Sequence, residues 1–134
     1  MKTHWIALIC CLSLPALAET GHPLLTVYAE QARQQDPAFA GFSAERGKAL
    51  YFTEQQRNGK PMSCTTCHTS DPRQTGKTLA YRKVKPLAPV ANPERFSNPK
   101  KVEKWFRRNC DDVFARECTA LEKGDFISWI SQLK

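Results

Sequence analysis

The sequence predicts an all-α fold of four or five short helices around a long irregular middle. Three observations lead there. Apolar residues recur at helical spacing over residues 23–35, 98–109 and 119–133. Side chains suited to capping stand at the start of three candidate helices. No segment of useful length alternates apolar and polar residues as a half-buried strand would. The chain has 134 residues, 41% hydrophobic and 25% charged, enough for one domain with a small core. Nine prolines and six glycines are too few for a low-complexity or collagen-like chain.

Met1 to Ala18 has the form of a secretory signal. Lys2 gives a basic start, Ile6 to Leu17 is an apolar run, and Ala16-Leu17-Ala18 puts small residues at the cleavage positions. A lipoprotein signal is the rival reading because of Cys10 and Cys11, but Ile9 stands where a small residue belongs. The expected organisation is a signal peptide over 1–18, cleaved after Ala18, and one domain over 19–134, exported to the periplasm. The mature chain then has a net charge of +6 and four cysteines: Cys64, Cys67, Cys110 and Cys118.

Pro23 to Gln35 places Leu24, Leu25, Tyr28 and Ala32 on one helical face, and Asp36-Pro37 breaks it. Ser43 is an N-cap for a helix from Ala44 to about Glu54. Asn58-Gly59-Lys60-Pro61 is a turn. Residues 69–99 hold Pro72, Pro86, Pro89, Pro93 and Pro99 with no sustained period, which reads as an ordered loop wrapped around something. Asn98-Pro99 is an N-cap followed by proline at the first helical position, opening a helix to about Asn109. Thr119 to Glu122 is a capping box for the last helix, with Phe126, Ile130 and Leu133 on one stripe and Trp129 beside it.

Cys64-Thr65-Thr66-Cys67-His68 is the attachment signature of c-type haem. Two thiols three positions apart can form thioethers to the two vinyl groups, and the next histidine can ligate iron. A redox dithiol wants a βαβ context, which is absent. Adjacent Cys67 and His68 would chelate one tetrahedral zinc awkwardly. A plain Cys64–Cys67 disulfide is the bland alternative. One motif implies one haem, and a buried porphyrin would supply apolar surface that so short a domain lacks. The other ring nitrogen of His68 is expected to meet a backbone carbonyl in Pro86-Leu87-Ala88-Pro89.

Electron-transfer cytochromes usually close the sixth iron position with Met or His from the C-terminal half. Beyond His68 this chain has neither. Met62 is two residues from the motif, and His22 belongs to the start of the mature chain. The sixth position is therefore open or weakly held. Val102, Trp105, Phe106 and Asn109 share one face of the 98–109 helix. By spacing, Asn109 is either an inward-facing ligand or the αL residue that ends the helix.

Gly47-Lys48-Ala49-Leu50-Tyr51 resembles the N-terminal helix of class I cytochromes c. The stretch from Pro93-Glu94-Arg95-Phe96 through Arg107-Arg108-Asn109-Cys110 to Glu117-Cys118-Thr119 is similar to the SHP group of high-spin, oxygen-binding cytochromes c. The resemblance implies a class I cytochrome c-like fold around one covalent haem c held by Cys64, Cys67 and His68. It further implies that Asn109 ligates ferric iron and leaves on reduction, opening the site to O₂, CO or NO, and that Cys110 pairs with Cys118. The implied partners are a dihaem cytochrome c and a membrane b-type cytochrome. Residues 77–85 stand as a short insertion relative to that pattern.

Two functions follow: a gas-binding haemoprotein, with turnover of O₂, NO or peroxide left open, or a simple electron carrier. No residue reads as a dedicated catalytic acid or base. The positive charge and the cluster Lys100, Lys101, Lys104, Arg107 and Arg108 suit either an acidic electron donor or a plain solvated helix face, and nucleic acid is not an expected partner of an exported protein.

Overall fold

The computed structural model describes residues 22–134; the expected signal peptide and its cleavage site after Ala18 lie outside the described residues. Helix α1 (Pro23–Gln35) buries Leu24, Leu25, Tyr28 and Ala32, the four residues its spacing singles out. Helix α2 (Ala44–Phe52) starts at Ser43, whose hydroxyl accepts from the Arg46 amide at 3.2 Å, and ends two residues short of Glu54. Among the described residues no helix is long and apolar enough to cross a membrane.

Two small hairpins interrupt the helices. Strands β1 (Gln55–Arg57) and β2 (Lys60–Met62) pair antiparallel about Asn58-Gly59, both in the left-handed region at φ 53° and 73°. That is the Asn-Gly geometry of a two-residue hairpin turn. After α3 (Thr65–His68), strands β3 (Gly76–Lys77) and β4 (Lys83–Val84) form a second pair within the proline-rich middle. Strands this short carry too little alternation to be legible as strands in the sequence.

Helix α4 (Pro99–Phe114) opens on Asn98, whose side chain accepts from the Lys101 amide at 3.0 Å. It continues five residues past Asn109 and stops at Ala115, the left-handed residue, at φ 56°. Helix α5 (Ala120–Ile130) has the expected capping box, with reciprocal Thr119 and Glu122 bonds of 3.1 and 2.8 Å. Phe126, Ile127, Trp129 and Ile130 are all buried, so the helix is enclosed on more than one stripe, and Leu133 lies beyond its end.

The core forms where α2 crosses α5 and α1 packs beside them, around Tyr28, Tyr51, Ile127 and Ile130. The crossing is close because Gly47 has no side chain: a Cβ there would stand 2.1 Å from the Asp125 carbonyl oxygen. Asp125 is itself buried and accepts from the Ser43 amide at 2.7 Å and from Arg46 Nε at 2.6 Å and Nη2 at 2.8 Å. A buried carboxylate so fully partnered fixes the register of the two helices.

Helix α4 is clasped onto this core by a polar group. Tyr28 donates to Glu103, and Lys123 Nζ donates to Glu103 Oε2 at 2.7 Å while lying over the Phe106 ring. At its other end Cys110 is bonded to Cys118, Cα atoms 5.7 Å apart, eight residues along the chain. Closing that loop contributes roughly 2–3 kcal/mol in the chain-entropy model. Cys118→Ser should lower the unfolding free energy by about that amount, read from urea denaturation of the holoprotein. An unchanged midpoint would show that the bridge constrains nothing the fold does not already hold.

Candidate haem site

The attachment motif folds as a single helical turn, α3, entered from β2. Cys64 and Cys67 are both free and half-buried. Burial pushes the Cys64 thiol up to about 11 and raises Cys67 as well. His68 is half-buried, and desolvation, with the Arg95 charge second, brings its imidazole down to about 4. A histidine held neutral is the form that ligates metal.

Tyr51 holds this turn in place. It is fully buried, tilted against Trp129 with centroids 5.0 Å apart, and its hydroxyl donates toward the carbonyls of His68 at 3.1 Å and Thr69 at 2.6 Å. Thr69 ends the turn at φ 66°, a conformation costly for a β-branched residue. On the other side, Gly76 lies so close that a Cβ would come 1.9 Å from the Cys67 carbonyl oxygen. Sequence reasoning missed both roles. Tyr51 stands only in the resemblance and Gly76 in no motif.

In the Pro86–Pro89 segment, Pro86 already accepts from Arg95 Nε at 2.8 Å and Asn92 Nδ2 at 3.1 Å. Ala88 and Pro89 accept from backbone amides of the turn that follows. Three of the four carbonyls are thus taken inside the loop. Arg95 is half-buried, and its guanidinium makes hydrogen bonds to the Pro86 and Lys85 carbonyls.

Asn109 comes from a separate element, the interior of α4, so the helix-cap reading does not hold. It is half-buried on the face that carries buried Val102 and half-buried Phe106, whose ring meets Phe126 edge-on at 5.7 Å. Trp105, expected on that inward face, is 42% exposed and carries the Arg108 guanidinium 5.2 Å from its centroid. Spacing alone could not separate the two sides of a helix whose apolar stripe is narrow. Arg57 ties α4 to the attachment segment by donating to the Asp112 and Asp111 carbonyls at 3.1 and 3.3 Å. His22 is engaged elsewhere: Nδ1 accepts from the Leu24 amide at 3.2 Å and caps α1.

The donor set fits haem c. It offers two unpaired thiols and a neutral imidazole on one buttressed turn, with half-buried Leu87, Phe96 and Phe106 packed on the adjoining core. Among the described residues no cluster of three or more His, Cys, Asp or Glu suits a metal ion bound directly.

The family model described as "Domain of unknown function (DUF1924)" matches residues 37–130. The chain is 41% identical over 131 residues to the cytochrome c-type protein SHP of Cereibacter sphaeroides, covering 96% of this chain and 98% of that one. It is 32% identical over 123 residues to cytochrome c'' of Methylophilus methylotrophus, covering 88% and 85%. The crystal structure of that oxidized cytochrome c'' superposes with a TM-score of 0.76 at 30% identity, over 83% of this chain and 92% of that one. The structure of oxidized SHP, described as an oxygen binding cytochrome c, gives 0.73 at 39% identity, over 82% and 94%. With its attachment turn, its helical frame and nearly its whole length matched, the chain belongs to the SHP family of c-type cytochromes, a DUF1924 member whose cofactor is haem c.

Proposed function

We propose that the protein is an exported, periplasmic monohaem cytochrome c with a weak, displaceable distal ligand, which accepts electrons and binds O₂, NO or CO once reduced. The observation that carries this reading is the place of Asn109. It lies inside α4 on the face of Val102 and Phe106, while the helix takes its left-handed end from Ala115. Haem c, held by Cys64, Cys67 and His68, would supply a one-electron iron couple able to bind a small ligand.

The chain's own residues do the rest. Cys64 and Cys67 would anchor the ring, His68 would ligate the iron through an imidazole nitrogen, and Tyr51 fixes the turn that bears all three. Asn109 offers a neutral amide oxygen. Ferric iron, the harder and more charged state, would hold such an oxygen better than ferrous iron, so Asn109 would serve as a ligand that reduction weakens, leaving room for a small ligand. SHP is described as oxygen-binding, and a solution structure of cytochrome c'' as giving insight into haem-ligand detachment, which agrees with this reading. A dihaem cytochrome c as electron donor and a membrane b-type cytochrome complete the proposed chain of partners.

Carbon monoxide tests the reading directly. Added to the dithionite-reduced holoprotein, it should shift the Soret band at once and bind with simple saturation. A Soret band that ignores CO would mean a locked sixth ligand and a plain electron carrier.

A further inference from the structure

We propose that the β3–β4 hairpin with its loop, residues 76–85, is the docking surface for an acidic electron-donor protein, an assignment that rests on the electron-accepting part of the function above. The hairpin is built against the haem-attachment turn. Gly76 is seated on the Cys67 carbonyl, where a Cβ would come 1.9 Å from its oxygen. A cleft of about 470 Å³ between turn and hairpin is lined by Thr66, Cys67, Thr69, Lys77, Tyr81 and Lys83. A protein docked on the hairpin therefore sits against the segment that bears the haem.

Its surface has the anatomy of an interface. Leu79 is 68% exposed and Tyr81 81% exposed, large apolar side chains that a lone chain gains nothing by presenting to water. Lys77, Arg82, Lys83 and Lys85 surround them, all exposed. From Pro72 to Pro93 the chain has no aspartate or glutamate. The loop is closed by the Thr78 amide donating to the Arg82 carbonyl and the Tyr81 amide to the Thr78 carbonyl, both at 2.9 Å. An ordered loop loses little entropy on docking. An apolar centre with a cationic rim fits a partner whose apolar spot is ringed by carboxylates, in a small transient complex. One electron passes from the donor's reduced centre to the ferric protein, with no proton or atom transferred.

The basic face of α4 is the competing surface. Its cations are interleaved with Glu103, Asp111 and Asp112, whereas those of the hairpin have no acid among them.

Stopped-flow reduction of the ferric holoprotein by flavodoxin hydroquinone, an acidic protein donor, tests the assignment. Neutral riboflavin hydroquinone serves as the small-molecule control. At low ionic strength the R82E/K83E and L79S/Y81S variants should each react about tenfold more slowly with flavodoxin. A K100E/K104E variant should stay within about twofold of the parent. Near-molar salt should erase the charge-variant difference, and all variants should match the parent with riboflavin hydroquinone. Docking at the hairpin is overturned if its variants keep the parent rate or if the α4 variant takes the loss. It is equally overturned if the hairpin binds phosphatidylglycerol vesicles while the flavodoxin rates stand unchanged. If riboflavin hydroquinone does not reduce the parent, the electron-accepting reading itself fails, and docking with it; the hairpin results bear on docking alone.

Discussion

Asn109→Ala should leave the haem attached through Cys64, Cys67 and His68 and yet change the ferric spectrum, the azide affinity and the reduction potential together. Alanine is an excellent helix former, and position 109 lies inside α4, so the helix itself gains rather than loses. What disappears is the amide oxygen. Water or added azide then meets no competing ligand, and azide should bind on the order of tenfold more tightly, a difference of about 1.4 kcal/mol. The potential should rise, because a ligand that favours the ferric state has been removed. Asn109→His makes the converse test: an imidazole that stays bound in both states should give a low-spin protein that no longer responds to CO. If the alanine variant matches the parent in spin state, azide affinity and potential, another group holds the iron.

Gly47→Ala should cost the fold about 3 kcal/mol or more, at the upper end of overpacking effects. Helix propensity points the other way, since alanine is favoured over glycine in a helix by about 1 kcal/mol. The contact decides the sign. The added methyl would fall 2.1 Å from the Asp125 oxygen, 2.5 Å from its carbonyl carbon and 2.9 Å from the Phe126 Cα, all backbone atoms that no rotamer can move aside. Helices α2 and α5 must part, which loosens the bonds between Arg46 and buried Asp125 and shifts Tyr51 beneath the haem-bearing turn. Thermal unfolding of the holoprotein should show Tm lower by at least about 12 °C for a domain of this size. A fall of less than about 3 °C would mean that the crossing has slack the structure does not record.

How much of this was legible in the sequence depends on the range of the interaction. The bounds of α1 and its four buried residues, the Ser43 and Asn98 caps and the Thr119–Glu122 box are set within one or two turns of chain, and spacing finds them. The attachment turn is equally local. The end of α4 was not legible: Asn109 looks like a stop, while the actual stop, Ala115, carries none of the usual signals and sits in the loop that the cystine closes. Tyr51 reaches carbonyls 17 and 18 residues away, and Gly47 matters because of a backbone 78 residues later. No local pattern encodes such meetings. The inward placing of Trp105 failed for a related reason, since periodicity gives a face but not what covers it.

The two cysteine pairs impose an order on maturation. Cys110 and Cys118 are bonded, while Cys64 and Cys67 are free thiols, the form that reacts with haem vinyl groups, and in the exported protein proposed above both pairs would meet one oxidising compartment. Folding itself helps to keep them apart. Thiolate is the species that attacks disulfides, and a Cys64 thiol pushed up to about 11 presents very little of it at neutral pH. Cys110 and Cys118, meanwhile, are brought together by a short loop between two capped helices. Wherever this arrangement is formed, it brings the correct pair together and shelters at least one of the haem-bearing thiols, so the fold disfavours scrambled bridges.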